Sequence, residues 1–348
     1  MQIYRNLLFP AIKQFDPERA HDRTLTALEQ AQRFSAGRAM LRQIAGKFPQ
    51  RPLSLCGLNF PNVLGIAAGY DKDVRAATGL GILGFGHVEV GTLTPKPQSG
   101  NPKPRIFRLP EDKAVINRMG FPNGGVETAV PRLRALYSEP HDFILGVSLG
   151  KQKETPLSHA ALDYVTVMQA IYPFANYLAI NISSPNTPGL RELQGGNYLD
   201  NLLESIMVES KKLAREHHIE QRPLFIKIAP DLTWPELDEI LAAIKNNNID
   251  GIIATNTTLN RKGLTNKHKT ETGGLSGRPL ITRSTEIIRY IAQQTNGNLP
   301  IIGVGGVATA NDVKEKLNAG ASLVQIYTSL IYEGPGIAGS ILRDLYQS

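Results

Sequence analysis

From Val63 onward the chain alternates short apolar runs with helical stretches, and that alternation limits the possible folds more than any other feature. The candidate strands are Val63–Ala68, His87–Val90, Phe143–Ser148, Tyr177–Asn181, Leu224–Ala229, Gly251–Thr255, Ile301–Val304 and Leu323–Tyr327. Most are continuously apolar rather than alternating, as strands buried on both faces should be. Helical patterns fall between them, for example at Leu157–Ile171, Leu199–His217, Pro235–Asn246, Thr282–Gln294 and Asn311–Ala319. About eight β-then-α units predict a closed parallel (β/α)8 barrel, the TIM barrel class, with an open doubly wound sheet as the alternative.

A length of 348 residues suits one large barrel with additions, and 41% hydrophobic residues supply a full core without disulfide or metal. The single cysteine, Cys56, cannot close an internal disulfide and fits a reducing compartment. No apolar run reaches the length of a membrane-spanning helix, and the N-terminus lacks the apolar segment of a secretory signal.

The formal net charge of +7 points either to a polyanionic partner (nucleic acid, a membrane surface, a phosphorylated ligand) or to a solvated basic surface. Residues 1–50 hold eight Lys and Arg against four acids, so 8 − 4 = +4 of the excess lies there. This segment reads as helical. Ile3, Tyr4, Leu7, Leu8, Ala11, Ile12 and Phe15 form one apolar stripe. Asp16 is a candidate N-cap with Pro17 at the first helical position, and Ala20, Leu25, Leu28 and Ala31 would face inward. Ser35 is a candidate cap for a further helix ending near Gly46. These helices either pack on the main domain or lie in a lipid interface, with basic residues on the headgroups. The chain therefore divides into a helical region, 1–50, and a barrel, 51–348.

In a barrel the active residues follow the strands, at the C-terminal face. The glycine-rich and polar clusters stand there: Ala67 to Lys72, Gly91-Thr92, Asn181 to Asn186, Lys227, Thr255 to Thr257, Gly303 to Gly306 and Tyr327-Thr328. Long, apparently structureless loops follow the second, fourth and sixth strands, at Thr92–Asn123, Ile182–Asn197 and Asn256–Ile281, and such loops are usually functional. Gly303-Val304-Gly305-Gly306, after the seventh strand, suits a phosphate held by backbone N–H groups, or is simply a tight turn.

Lys227 interrupts an apolar strand, where a charge is expensive unless it meets an anion, such as a reduced flavin ring, or snorkels to the barrel rim. Lys72 is either an anchor for a carboxylate or a surface lysine. Asn117, Asn181, Asn186 and Asn256 present donors and acceptors together and suit a planar, amide-rich ligand, although each is also a common turn residue. No His/Cys/Asp/Glu cluster has metal-ligand spacing, so no metal is expected. Ser183 and Ser184 lie in Asn181-Ile182-Ser183-Ser184-Pro185-Asn186. No nucleophile elbow surrounds them and no acid–histidine pair accompanies them, which argues against hydrolysis. A serine in a dry site can instead act as a base if a polar chain or water removes its proton.

Four longer motifs carry a resemblance. They are Ile116 to Phe121 (Ile-Asn-Arg-Met-Gly-Phe), Asn181 to Arg191, Thr272 to Gly277 (Thr-Gly-Gly-Leu-Ser-Gly) and Ala321 to Tyr327. The chain resembles the membrane-associated, quinone-linked dihydroorotate dehydrogenases over essentially its whole length. The resemblance implies FMN at the barrel mouth, contacted by Ala68, Gly69, Tyr70, Asp71, Lys72, Thr92, Ser148, Asn181, Lys227, Thr255, Gly277, Gly306, Tyr327 and Thr328. It implies substrate contacts from Lys72, Asn117, Arg118, Met119, Gly120, Phe121, Asn181, Asn186, Asn256 and Thr257. Ser184 would be the base that takes the C5 proton of dihydroorotate while a C6 hydride passes to the flavin, yielding orotate for pyrimidine biosynthesis. His21, Arg105 and Tyr327 match polar residues of a quinone tunnel beneath the N-terminal helices. The implied protein is a monomer without nucleic-acid partner, held peripherally on the cytoplasmic face of the cell membrane.

The sequence departs from the family pattern at Ser148 and Gln152, where asparagines are usual, and at Tyr70, where Leu or Phe is usual. The shorter hydroxyl of Ser148 would need a bridging water to make that flavin contact. Two rivals remain. A soluble dihydroorotate dehydrogenase using fumarate or a nicotinamide-linked partner would carry a cysteine base and lack the N-terminal helices. A flavin barrel that reduces tRNA uridines would carry its basic residues over the barrel mouth.

Overall fold

The computed structural model describes residues 4–347. Ile3, counted in the first apolar stripe, lies outside the described residues. A wide turn at Tyr4–Leu8 leads into α1 (Phe9–Ile12). Helix α2 (Pro17–Arg33) starts as its sequence requires: Asp16 accepts the Arg19 N–H at 2.9 Å, with Pro17 at the first position. Helix α3 (Ser35–Ala45) differs from expectation. Phe34 holds the cap position without a side-chain bond, and Ser35 is the first helical residue. Gly46 ends that helix at φ +68°, a conformation that favours glycine. Leu25, Leu28 and Leu41 of these helices are buried, whereas Ala20 and Ala31 are half-buried.

A short antiparallel hairpin, β1 (Leu53–Leu55) with β2 (Leu58–Phe60), precedes the barrel. Then follow β3 (Leu64–Ile66), α4 (Ala77–Ile82), β4 (His87–Leu93), β5 (Ile106–Leu109), β6 (Ala114–Asn117), α5 (Gly125–Tyr137), β7 (Ile144–Leu149), α6 (Ala160–Ile171) and β8 (Tyr177–Asn181). The second half holds α7 (Gly196–Glu216), β9 (Leu224–Ile228), α8 (Trp234–Asn246), β10 (Gly251–Ala254), β11 (Gly274–Gly277), α9 (Ile281–Gln294), β12 (Ile301–Val304), α10 (Ala310–Asn318), β13 (Leu323–Ile326), α11 (Thr328–Glu333) and α12 (Ile337–Tyr346).

Strands β3, β4, β7, β8, β9, β10, β12 and β13 close into a parallel barrel, in that order around the ring. All eight are the apolar runs expected. Their residues are buried on both faces: inward side chains such as Tyr177, Phe225, Ile253 and Ile302 fill the barrel, and outward ones such as Leu178, Ile226 and Ile252 meet the helices. The hairpin packs Leu53, Leu55, Leu58 and Phe60 against the interior cluster and plugs the bottom.

None of the three long loops is structureless: the middle one holds a short 3-10 turn at Leu190–Gln194, and the first and third hold strands. These strands are β5, β6 and β11, which pair antiparallel in the order β11-β6-β5 beside the barrel mouth. That small sheet has its own apolar core of Phe107, Leu109, Ile116 and Leu275.

Candidate active site

The C-terminal strand ends open into one cavity of about 1260 Å³, its mouth included. At its floor Lys227, with its side chain only 5% exposed, places Nζ 3.2 Å from Glu89 Oε1. The lysine does not reach for the rim; it is paired inside the barrel. Glu89 also accepts from Gln325 Nε2 at 2.9 Å and Tyr177 OH at 3.1 Å.

Asn181 ends β8 and organises one wall. Its Nδ2 donates to Thr92 Oγ1 at 3.0 Å, and that hydroxyl lies 2.9 Å from Ser148 Oγ. Its Oδ1 accepts from Ser183 Oγ at 3.1 Å and Asn256 Nδ2 at 3.4 Å, while Asn256 also donates to Ser183 Oγ at 2.9 Å. This network separates the two adjacent serines. Ser183 is wholly buried among amides, whereas Ser184 lines the cavity and accepts the Asn186 N–H at 3.2 Å. Arg191 braces the loop from behind, donating to Ser183 O at 3.0 Å and Thr257 O at 2.9 Å while pairing with Asp231 at 2.8 Å.

The far end of the cavity suits a phosphate. Gly305 and Gly306 take φ of +129° and +77°, and a Cβ on Gly306 would stand 2.5 Å from Ile281 Cβ. Thr328 begins α11, so its N–H has no acceptor within the helix. A flat, amide-bearing ring with a phosphate tail therefore fits the residues present: amides and Lys227 at one end, glycine backbone at the other.

Every site residue that the family resemblance implies lines this cavity except Tyr70, Asp71, Ser148, Arg118, His21 and Arg105. Asp71 is buried and binds the backbone N–H groups of Arg75 and Ala76 at 2.8 and 2.7 Å, so it shapes the loop that presents Lys72. Ser148 stands behind Thr92, one hydroxyl back from the cavity. Arg118 turns outward, pairing with Glu271 at 2.7 Å and stacking over the Phe107 ring at 4.6 Å. Arg105 is buried with both Glu18 carboxylate oxygens at 2.6 to 3.2 Å and the carbonyls of Ser99 and Asn101 at 2.6 and 2.8 Å.

Tyr70 and His21 line a second, more apolar cavity of about 1350 Å³ between the N-terminal helices and the barrel. Their rings meet edge-on at 5.0 Å. Burial and the nearby Lys72 charge push His21 down to about 3, so its ring is neutral. Asn117, Met119 and Tyr327 line both cavities and form the partition between them. Arg108, rather than Arg105, lines the second cavity, and it also donates to the Ile12 and Phe15 carbonyls.

Sequence reasoning missed several cavity residues. Lys113 lies in the β5–β6 turn, Ser276 in β11, Arg278 in the turn after it and Glu333 in α11, and strands this short carry no periodicity long enough to read. Gln325 and Ser276 did stand inside quoted motifs, which was the available signal.

A protein-family model described as dihydroorotate dehydrogenase matches residues 52–348. The chain belongs to the dihydroorotate dehydrogenase family. It is 48% identical to the dihydroorotate dehydrogenase (quinone) of Yersinia enterocolitica over 344 residues, covering 99% of this chain and 100% of that protein. It is likewise 48% identical to the dihydroorotate dehydrogenase (quinone) of Cronobacter sakazakii, over 348 residues at the same coverage. The crystal structure of an Eimeria tenella dihydroorotate dehydrogenase in complex with ferulenol superposes with TM-score 0.84 at 38% identity, covering 95% of this chain and 91% of that one. The ligand-free Eimeria tenella enzyme gives TM-score 0.80 at 39% identity, covering 89% and 93%. Dihydroorotate dehydrogenases are flavin-dependent, which agrees with the amide, lysine and glycine groups around the cavity. Among the described residues no helix is long and apolar enough to cross a membrane.

Proposed function

We propose that this chain oxidises dihydroorotate to orotate for pyrimidine biosynthesis, with FMN in the barrel cavity and a membrane quinone as the final electron acceptor. The observation that carries the chemistry is the division between the two adjacent serines: of this pair, Ser184 lines the cavity while the Ser183 hydroxyl is turned into the buried amides. Ser184 takes the C5 proton. Its own hydroxyl proton leaves in the same step to a cavity water, so Oγ gains negative charge, which the Asn186 N–H at 3.2 Å stabilises. Lys72 lines the cavity with no counter-ion bonded to it among the described residues, and binds the substrate carboxylate. Asn117, Asn186, Asn256 and Thr257 hold the amide edges of the substrate ring, and Phe121 shields it from water. FMN, when bound, supplies a two-electron acceptor for the C6 hydride and a negative charge on reduction, which Lys227 faces.

Residues 1–50 form the quinone and membrane region of this reading. Leu7, Phe15 and Phe34, at the turns that join the N-terminal helices, and Met40 of α3 are more than half exposed in a segment that also carries Arg and Lys, the composition of an interfacial element. The quinone enters the second cavity between them and reaches the partition at Tyr327. The protein acts as a monomer on the cytoplasmic face. Ser184→Ala tests the base: FMN stays bound and dithionite still reduces it, but dihydroorotate reduces it slower by orders of magnitude. Unchanged single-turnover reduction would refute the assignment.

A further inference from the structure

Glu89 stands where a barrel core has least use for a charge. It points inward from β4 and is 1% exposed. It does not line the cavity, and no step above uses it. A buried ion pair is usually replaceable by apolar side chains without loss of stability, so its presence asks for another reason. Three donors satisfy the carboxylate: Lys227 at 3.2 Å, Gln325 at 2.9 Å and Tyr177 at 3.1 Å. Burial pushes the Glu89 carboxyl up, but the Lys227 charge and these bonds outweigh it and hold it below its ordinary value.

The next inward residue below is His87. Neither ring nitrogen has a partner, and burial pushes it down to about 4, so it adds no charge. Lys227 and Glu89 are therefore an isolated pair of opposite charges. Only the lysine faces the cavity.

We propose that Glu89 is a positioning residue for the redox centre: it fixes Lys227 Nζ at the cavity floor and offsets the lysine charge felt by the bound flavin. The inference rests on the reading that this cavity holds FMN. An unpaired lysine in so dry a site would favour the negatively charged reduced ring strongly. The paired lysine favours it less, so the flavin keeps a lower reduction potential and hands electrons on more readily.

The test is an anaerobic redox titration of the holoenzyme against a reference dye. Glu89→Gln keeps the shape and removes the charge. At a fixed dye ratio its reduced-to-oxidised flavin ratio should rise about tenfold, a positive shift of roughly 30 mV for two electrons. Glu89→Asp, which keeps the charge, should stay near the wild-type ratio. An E89Q flavoprotein whose ratio is unmoved, or falls, would overturn the proposal. If E89Q fails to hold FMN, Tyr177→Phe serves instead. It removes one donor but leaves the carboxylate, so the ratio should fall about twofold to threefold, and no change would overturn the proposal. A wild-type protein without FMN would overturn the functional reading itself. A wild-type flavoprotein with an unmoved E89Q ratio would overturn this proposal alone.

Discussion

The side-chain amide of Asn101 donates to the backbone carbonyl of Asn186 at 3.0 Å. The same Nδ2 donates to Arg118 O at 3.1 Å, and the Asn101 N–H binds Met119 O at 2.9 Å. One residue thus ties the Arg118–Met119 segment to the loop that carries Ser184. Arg105 holds the Asn101 carbonyl, and Glu18 of α2 holds Arg105. The N-terminal helices are linked to the Ser184 loop through these groups.

Asn101→Ala removes two side-chain bonds worth about 1 kcal/mol each. Flavin reduction by dihydroorotate should slow roughly 10- to 30-fold as the base loop loosens. Reduction by dithionite should not change. Stopped-flow absorbance separates the two, and an unaffected substrate-driven rate would show that the loop needs no such tie.

Glu18 gives the N-terminal helices a pH dependence. Burial raises its carboxyl, but bonds and charge from Arg105 and Lys103 prevail, so its folded value lies below the ordinary one. That stabilisation is fully present above the ordinary carboxylate value, about 4.3, and is lost as pH falls through the lower folded value. Glu18→Gln should flatten this part of the melting-temperature profile. At neutral pH it should cost about 3 kcal/mol, because Arg105 stays buried with its counter-charge gone. Thermal melts across the acid range check both.

Ala20 is half-buried on α2 and lines the second cavity. Ala20→Trp should fill part of that cavity and raise the quinone KM at least about tenfold, while dihydroorotate-driven flavin reduction keeps its rate. Equal loss in both half-reactions would contradict two separate binding spaces. Because burial holds His21 near 3, quinone turnover should show no inflection in the ordinary histidine range that His21→Gln removes.

Phe34 is 63% and Met40 51% exposed, with Arg33, Arg38 and Arg42 close in sequence. Replacing both apolar residues by Glu should weaken binding to anionic vesicles about tenfold or more and leave soluble-substrate flavin reduction intact. Vesicle co-sedimentation reads the first, and undiminished binding would place the membrane contact elsewhere.

The barrel was legible because its strands are buried on both faces, which leaves runs such as Phe225 to Ile228 with one polar residue that stands out. The β5–β6–β11 sheet was not, because Gly274–Gly277 is too short and glycine-rich to show a period. The cavity set was readable from strand ends and motifs, but side-chain direction was not. Arg118 and Met119 are neighbours in one motif, yet one stacks on Phe107 outside and the other lines both cavities. Arg105 likewise reads as a tunnel residue, while the carboxylate that claims it, Glu18, lies 87 positions away. Partners so distant in sequence leave no local trace.

The most direct measurement is the visible spectrum of the purified protein under anaerobic conditions as dihydroorotate is added. The account predicts a yellow protein with bound FMN whose flavin absorbance bleaches within the mixing time of a manual titration, and recovers when a quinone is supplied. A colourless protein, or a flavin band that dihydroorotate leaves untouched, would contradict it.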